Sequence, residues 1–178
     1  MHGDIENILM TEKEIAECVR TLGAKITEDY RGKELTAAVI LRGSLVFAAD
    51  LIRKIELPLT VDFIQASSYG SGTETSGTLN ITHPLADDPA GRHLLLIEDI
   101  IDSGVTLLNL RERLKSSGAL SVKTCTLLSK PARRRADIEA DYTGKVIEDN
   151  FVVGYGLDYN QKYRNLPYIG ILKREVYE

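Results

Sequence analysis

Three acidic residues and three small or hydroxyl residues stand together at positions 98–106, in the order Glu-Asp-Ile-Ile-Asp-Ser-Gly-Val-Thr. An apolar run at 93–97 precedes them and is typical of a buried strand, while leucines at helical spacing follow. A helix that begins here offers unpaired N–H groups and the positive end of its dipole, which favour a phosphate. Ser103 and Thr106 would add hydroxyl donors, and Gly104 would let the backbone approach the anion closely.

The acids in this segment need a second explanation, because carboxylates repel phosphate. Glu98 and Asp99 fit if they hold vicinal ribose hydroxyls, or a magnesium ion that those hydroxyls also bind. Asp102, on the turn, would then be free to act on a proton. The alternative is a solvated acidic turn that caps a helix, since aspartate is common in a first turn. That alternative explains each acid singly, but the whole arrangement favours a site for a phosphorylated ribose and a divalent metal.

The first two helices that surround this segment are predicted from their N-terminal residues. Thr11 and Glu14 form a capping box, which begins a helix. Ser44 is the expected N-cap of a second helix that runs through Ile55. The residues expected on the buried face of that helix are Leu45, Ala48, Ala49 and Ile52.

A third helix and several strands complete the expected pattern. The helix should run from about 104 to 117, with Ser103 as its N-cap and Gly118 at its end. Apolar or alternating runs predict strands at 37–41, 59–63, 78–82, 93–97, 122–128, 151–153 and 168–172. Strand, loop and helix repeated in this way predict an α/β domain with a mainly parallel sheet, whose ligands bind beyond the carboxyl ends of the strands.

Composition limits the class of protein. The 178 residues are 43% hydrophobic and 27% charged, which suits one domain with a sizeable core. The net charge of -4 argues against general nucleic-acid binding, and no apolar run reaches membrane-spanning length. Cys18 and Cys125 stand far apart, so we expect reduced thiols in a cytoplasmic protein and neither a disulfide nor a zinc site. The acidic N-terminus does not resemble a signal peptide.

The sequence of residues 94–106, Leu-Leu-Leu-Ile-Glu-Asp-Ile-Ile-Asp-Ser-Gly-Val-Thr, resembles the ribose-phosphate signature of the type I phosphoribosyltransferases. Further stretches narrow the resemblance to the members that act on hypoxanthine and guanine. They are Ile-Leu-Arg-Gly-Ser at 40–44, Ser-Ser-Tyr-Gly at 67–70, and the stretch 151–170 that begins Phe-Val-Val-Gly-Tyr-Gly-Leu-Asp-Tyr. The match follows the order of the chain over nearly its whole length.

The resemblance implies an activity and an architecture. The activity is transfer of the 5-phosphoribosyl group from phosphoribosyl pyrophosphate to N9 of hypoxanthine or guanine, giving IMP or GMP and pyrophosphate, with Mg²⁺ as the cofactor. The architecture is the type I phosphoribosyltransferase fold over residues 1–178, a mainly parallel sheet flanked by helices. A flexible lid at about 67–77 and a small hood, made of N-terminal residues and about 150–178, would cover the site. A homodimer or homotetramer is implied, with no nucleic-acid or membrane partner.

The resemblance also assigns residues to the phosphoribosyl and metal sites. The positions that match the 5′-phosphate loop are Asp102, Ser103, Gly104, Val105 and Thr106. Glu98 and Asp99 match positions that face the ribose hydroxyls and the metal, and Asp158 matches a second metal ligand. Asp102 matches the proposed general acid/base near purine N7. Some family members carry lysine where Val105 stands, which removes one positive charge near the phosphate.

Other matched residues concern the purine and the pyrophosphate. Lys130 matches a donor to the purine 6-oxo group, Phe151 the aromatic ring that stacks on the base, and Val152 a backbone contact to its edge. Arg42 and Gly43 match the pyrophosphate loop, which in the family carries a non-proline cis peptide, and Arg164 a pyrophosphate contact. Some members carry lysine in place of Arg42. The remaining substrate-binding positions, in the lid stretch, are Ser68 and Tyr69.

Several of these residues also have ordinary structural interpretations. Taken alone, Phe151 beside two valines suits a core strand, and Lys130 suits a surface lysine. Asp102 could hydrogen-bond the purine without moving a proton, because a free aspartate is a poor base. The run of arginines at 133–135 fits a solvated face better than a binding patch.

Two other functions compete with this enzyme. Some proteins with the same fold bind RNA and regulate nucleotide genes, although the acidic net charge and the intact purine-site stretch favour the enzyme. Another enzyme of this fold could use adenine, xanthine or a pyrimidine. Lys130 favours a 6-oxo over a 6-amino group, because lysine only donates hydrogen bonds. The choice among hypoxanthine, guanine and xanthine rests on backbone carbonyls that no residue type reveals.

Overall fold

The computed structural model describes residues 2–68 and 79–178. Its elements in chain order are β1 (Ile5–Met10), α1 (Glu12–Asp29), β2 (Leu35–Ile40), α2 (Leu45–Ile52), β3 (Leu59–Ser68), β4 (Leu79–His83), β5 (His93–Ile101), α3 (Val105–Ser116), β6 (Ser121–Ser129), β7 (Tyr142–Val146), β8 (Val152–Val153), β9 (Ile169–Leu172) and α4 (Arg174–Tyr177). A short 3-10 helix, Pro131–Arg133, follows β6.

The main sheet has six strands in the order β4-β3-β2-β5-β6-β7. All neighbouring strands are parallel except β4, which runs antiparallel to β3. The central strand β5 is buried on both faces, as its continuous apolar run predicts for a parallel sheet with helices on each side. The predicted α/β fold with a mainly parallel sheet is confirmed.

Alternate residues of β5 belong to two different layers of the core. Leu95 and Ile97 pack with the apolar faces of α1 and α2, whereas Leu94 and Leu96 pack with α3. This alternation follows from the two-residue repeat of a strand, which points successive side chains to opposite faces. Because both faces of β5 are covered, the strand places Glu98 and the residues that follow it at one fixed edge of the sheet.

A second, three-stranded antiparallel sheet has the order β1-β9-β8. Its buried residues Ile5, Val153 and Leu172 form a small apolar cluster of their own. These strands come from the N-terminal residues and from residues 150–178, the two segments that were predicted to form a hood. The patterning did not reveal β1, in which only Ile5 and Met10 are buried, or the edge strand β7.

The starts and ends of α1 and α2 agree only in part with those predicted from their capping residues. The capping box is confirmed, because the Glu14 amide donates to Thr11 Oγ1 at 3.3 Å and the Thr11 amide donates to Glu14 Oε2 at 2.8 Å. The second helix ends at Ile52, so the prediction that it reaches Ile55 is wrong. Ser44 is its N-cap but makes no capping bond, because its hydroxyl donates to the Ile40 carbonyl.

The predicted buried face of α2 is confirmed at Ala48 and in part at Ile52, but is wrong for Leu45 and Ala49. Its fully buried residues are Phe47, Ala48 and Leu51, and Leu45 is 52% exposed. The prediction placed the apolar stripe one position too late, because nearly every residue of this helix is apolar and the spacing alone could not select a face.

The structure bears on three further expectations. Cys18 and Cys125 are free thiols, as predicted. Within residues 2–68 and 79–178, no helix is both long and apolar enough to cross a membrane. The expected lid, with Tyr69, falls almost wholly on residues 69–78, which lie outside the described residues, and Ser68 is the last residue of β3.

Candidate active site

A cavity of about 280 Å³ opens at the carboxyl ends of β2 and β5. Apolar residues such as Ile40 and Leu107 form part of its wall. The predicted site residues that line it are Glu98, Asp99, Asp102, Ser103, Gly104 and Thr106. The parallel sheet therefore brings these residues to the edge where ligands bind in such folds.

The loop from Asp102 to the start of α3 offers an anion site. Gly104 is the N-cap of α3 and has the left-handed φ of 76°, so the predicted N-cap Ser103 lies one residue too early. The Ser103 hydroxyl accepts a hydrogen bond from the Val105 amide at 3.4 Å. The amides of the first turn have no carbonyl partner within the helix, and they add to the positive end of its dipole. A phosphate fits this combination of amides and hydroxyls.

Two adjacent carboxylates, Glu98 and Asp99, lie beside this loop, near the carboxyl end of β5. Asp99 is buried and its Oδ1 accepts a hydrogen bond from the Ile100 amide at 2.8 Å. Burial raises the pKa of Glu98 well above its usual range, and the neighbouring Asp99 charge raises it further. Burial also raises the pKa of Asp99, although the Ile100 amide opposes that shift. Such a pair gains most from a bound cation or from hydroxyl donors.

The loop at Arg42 and Gly43 packs directly on this acidic pair. The Leu41–Arg42 peptide bond is cis, which confirms the expectation for this loop. A methyl group at position 43 would lie 1.7 Å from Asp99 Oδ2, and one at Gly156 would lie 2.1 Å from the Gly43 carbonyl oxygen. Only glycine fits at these two positions, so the three loops meet at van der Waals distance.

Arg164 and Asp158 lie against the far side of the same loop. The Arg164 guanidinium donates to the Gly156 carbonyl at 2.7 Å and lies 2.8 Å from Asp158 Oδ1. Gln161 joins the group, because its Oε1 accepts from Arg164 at 3.2 Å and from Arg42 at 3.4 Å. Two arginines thus lie on one side of the acidic pair, and no local pattern of residues indicated that Gln161 would link them.

Lys130 lies at the end of β6, beside Asp102. Its ammonium nitrogen is 3.8 Å from Asp102 Oδ1 and 4.0 Å from Asp149 Oδ1. The lysine is buried, so its interpretation as a surface residue is wrong. Asp102 Oδ1 is itself a buried atom without a hydrogen-bond partner among the described residues, whereas the side chain as a whole is 47% exposed. This carboxylate is therefore available to a ligand.

Phe151 is 37% exposed, which argues against the ordinary core position considered for it. Its ring stacks on Tyr177 with centroids 4.8 Å apart and meets the edge of Tyr159 at 5.5 Å. Val152 is buried and pairs with Ile171 in the small sheet. Phe151 follows Asp149 by two residues, so its exposed ring belongs to the same end of the molecule as Lys130.

The carboxylates suit a magnesium ion that brings its other ligands with it. The described residues contain no group of three or more potential metal-binding side chains close together. Glu98, Asp99 and Asp158 offer hard oxygen donors, and burial raises the pKa of the first two. Mg²⁺ commonly binds through one or two carboxylates together with substrate oxygens and water. The residues present therefore fit the ion.

The arginine run at 133–135 does not form one solvated face. Arg133 and Arg135 are exposed, as expected, and Arg133 pairs with Asp149 at 2.6 Å. The side chain of Arg134 is only 11% exposed and bonds the backbone of the Asp102 loop, so the prediction is wrong for this residue. Nothing in the local sequence distinguishes it from its neighbours, because its acceptors are distant in the chain.

Comparison with known proteins gives a consistent result. A family model described as the phosphoribosyl transferase domain matches residues 5–160. The hypoxanthine-guanine phosphoribosyltransferase of Staphylococcus aureus (strain Mu50 / ATCC 700699) is 50% identical over 177 residues, covering 99% of each chain. That of Streptococcus pneumoniae (strain ATCC BAA-255 / R6) is also 50% identical, covering 99% of this chain and 98% of the relative.

Solved structures extend the similarity to the fold. A hypoxanthine phosphoribosyltransferase from Staphylococcus aureus is 49% identical with a TM-score of 0.97, covering 100% of this chain and 97% of that one. A ternary substrates complex of the hypoxanthine phosphoribosyltransferase from Trypanosoma cruzi is 37% identical with a TM-score of 0.94, covering 99% of this chain and 100% of that one.

Proposed function

Because this chain belongs to the phosphoribosyl transferase family, we propose that it transfers the 5-phosphoribosyl group of phosphoribosyl pyrophosphate to N9 of hypoxanthine or guanine. The products are IMP or GMP and pyrophosphate. The observation that carries the proposal is one cavity lined by the N-terminus of α3, the adjacent carboxylates of Glu98 and Asp99, and Asp102, whose Oδ1 lies 3.8 Å from Lys130 Nζ. Relatives that share half of the sequence are named for this activity.

The phosphoribosyl group binds along the loop after β5. The 5′-phosphate occupies the loop from Asp102 to Thr106, where amides and hydroxyls of Ser103 and Thr106 donate to it. Gly104 and Val105 contribute backbone to the same loop. Glu98 and Asp99 accept hydrogen bonds from the ribose 2′- and 3′-hydroxyls, and these two residues and Asp158 are those that would hold Mg²⁺ together with substrate oxygens. When bound, that ion neutralises charge on the pyrophosphate and so improves it as a leaving group.

The pyrophosphate leaves toward the loop at Arg42 and Gly43. Arg42 and Arg164 stabilise the charge that develops on it, since both lie on that side of the acidic pair. Carboxylates near the sugar favour the positive charge that builds at its anomeric carbon. The lid that includes Ser68 and Tyr69 closes over the reacting atoms and excludes water.

The purine lies between Lys130 and Phe151. Lys130 donates to the 6-oxo group, Phe151 stacks on the ring, and the Val152 backbone meets its edge. The Asp102 carboxylate, whose Oδ1 has no hydrogen-bond partner in the described residues, acts at N7 as the general acid/base. The small sheet β1-β9-β8 forms the hood over this part of the site, within one domain that spans residues 1–178.

We expect a homodimer or homotetramer in the cytoplasm, as the family resemblance implies. Size-exclusion chromatography with light scattering tests the assembly. A monomer at all concentrations would refute it.

The activity is tested by nucleotide formation from phosphoribosyl pyrophosphate and magnesium, with hypoxanthine, guanine, xanthine and adenine in parallel. IMP or GMP but no AMP is the expected outcome. No product from any purine, with the protein folded, would refute the enzyme and favour an RNA-binding regulator.

The role of Asp102 is tested by Asp102→Asn, which keeps the shape of the side chain and removes its basicity. We expect turnover to fall by a factor of about 10² to 10⁴ while the affinity for IMP changes little. Turnover close to the wild-type rate would show that the residue only binds the purine.

A further inference from the structure

We propose that Arg134 is a positioning residue that holds the Asp102 loop in place and ties it to the strand that carries Lys130. The inference rests on the proposed function, because it concerns how that site is kept in shape. It also gives a role to one member of the arginine run, whose other two side chains point to solvent or to Asp149.

The guanidinium of Arg134 has an acceptor for each of its five N–H groups. Nη1 donates to the carbonyl oxygens of Ile101 at 3.0 Å and of Asp102 at 2.5 Å. Nη2 donates to Ser129 Oγ at 2.8 Å and to Glu139 Oε2 at 3.4 Å, and Nε donates to Glu139 Oε1 at 3.4 Å. Only arginine has this planar set of five donors, whereas lysine has three around a single nitrogen.

The inner acceptors lie at the ends of two neighbouring strands. Ile101 is the last residue of β5 and Asp102 comes directly after it. Ser129 is the last residue of β6, one residue before Lys130. The Ile101 carbonyl also accepts the Lys130 amide at 3.0 Å. Arg134 therefore spans the two strand ends from which Asp102 and Lys130 reach their 3.8 Å contact.

The backbone beside Arg134 holds the next part of the loop. The amides of Arg135 and Ala136 both donate to the Ser103 carbonyl, at 2.9 and 3.0 Å. A methyl group at Gly104 would meet Arg134 Cδ at 3.1 Å, so the side chain also packs against the start of α3. Residues 134–136 thus bond the carbonyl oxygens of three successive residues, 101–103, at the start of the phosphate loop.

The electrostatic arrangement favours positioning over direct binding. Arg134 is 11% exposed at its side chain, and its two contacts toward solvent are taken by the exposed Glu139. No N–H of its guanidinium is left for a substrate phosphate. Its effect on the reaction must therefore pass through the loop carbonyls that it holds.

The test compares Arg134→Lys with the matched variant Arg135→Lys, which makes the same change on an exposed neighbouring side chain. Deuterium exchange of the amides at 101–107 should be about tenfold faster in Arg134→Lys and unchanged in Arg135→Lys, since lysine can replace at most three of the five hydrogen bonds. The KM for phosphoribosyl pyrophosphate should rise by about the same factor, with the KM for hypoxanthine changed less than about twofold.

Equal exchange and equal KM in the two variants would overturn the proposal. So would a general loss of stability in Arg134→Lys, in which exchange rises throughout α1 as well and the KM of the folded fraction is unchanged. If Arg134→Lys does not fold, Glu139→Ala removes only the outer, exposed partner and should raise the same KM about twofold. No rise in that KM would count against the proposal. The exchange measurement does not depend on turnover, so it remains decisive even if the wild-type protein transfers no phosphoribosyl group.

Discussion

Gly43 offers a direct test of how closely the pyrophosphate loop and the acidic pair must fit. In Gly43→Ala, the new methyl group would lie 1.7 Å from Asp99 Oδ2 and 2.8 Å from its Cγ, whereas ordinary contacts begin at about 3.4 Å. The carboxylate or the loop must therefore shift by about 1.7 Å. Asp99 cannot rotate freely, because it is buried and its Oδ1 accepts the Ile100 amide at 2.8 Å.

The magnitude of the effect follows from that displacement. Misplacement of a reacting or binding group by about 1 Å can reduce the rate about 10²-fold, so we expect kcat/KM to fall at least that much. Overpacking of this kind destabilises a protein by about 1–3 kcal/mol, which leaves most of the molecules folded. The loss of activity should therefore greatly exceed the loss of folded protein.

The assay is steady-state kinetics with phosphoribosyl pyrophosphate and hypoxanthine, together with the free energy of unfolding from urea denaturation. Gly3→Ala is the control, because a methyl group there has no neighbour within 4 Å and the backbone is not left-handed. It should match the wild type in both measurements. A Gly43→Ala protein with kcat/KM within about twofold of the wild type would refute the argument that this close approach positions Asp99.

Two further predictions concern the purine site, and a third concerns the exposed carboxylate at the end of α1. Lys130→Gln should raise the KM for hypoxanthine about 10- to 150-fold and increase adenine use relative to it, because glutamine can also accept a hydrogen bond; unchanged base preference in the parallel assay would contradict this. Tyr177→Leu removes the ring stacked on Phe151 and should raise the KM for hypoxanthine about two- to tenfold with kcat little changed; an unaltered KM would show that the stack is incidental. The hydroxyl of Tyr142 lowers the pKa of Asp29, so this carboxylate stabilises the fold above its ordinary pKa and the contribution is lost as the pH falls through the lowered value. Asp29→Asn should therefore lower the free energy of unfolding by about 1 kcal/mol at neutral pH, allowing for its exposure, and leave it unchanged in strong acid. Urea denaturation at several pH values measures this difference. An equal loss of stability in strong acid would contradict the prediction.

Much of the fold was predictable because its signals are local. The capping box at Thr11 and Glu14, the buried run of β5 and Gly118 after α3 each depend on residues within a few positions of one another. The face of α2 was not predictable, since an almost wholly apolar helix has no stripe to read. The edge strand β7 was missed because it follows a polar segment and gains its order from pairing with β6.

The site was predictable in part for the same reason. The segment 98–106 contains its acids, hydroxyls and glycine in one stretch, so the phosphate loop and the acidic pair could be assigned before any contact was known. The residue pattern predicted Ser103 as the N-cap of α3, but Gly104 holds that position. The left-handed conformation of Gly104 decided which residue caps the helix.

The sequence by itself determined the family, the order of the strands and helices apart from β1 and β7, and the identity of the loop that carries the chemistry. These features depend on residue types and on spacing along the chain, which persist before folding. Only the tertiary structure decided that one of three adjacent arginines is buried, that Asp149 and Asp102 share Lys130, and that Tyr177 meets Phe151. Each of these contacts joins residues brought together by packing, and its energy depends on distance and burial that no local pattern of residues encodes.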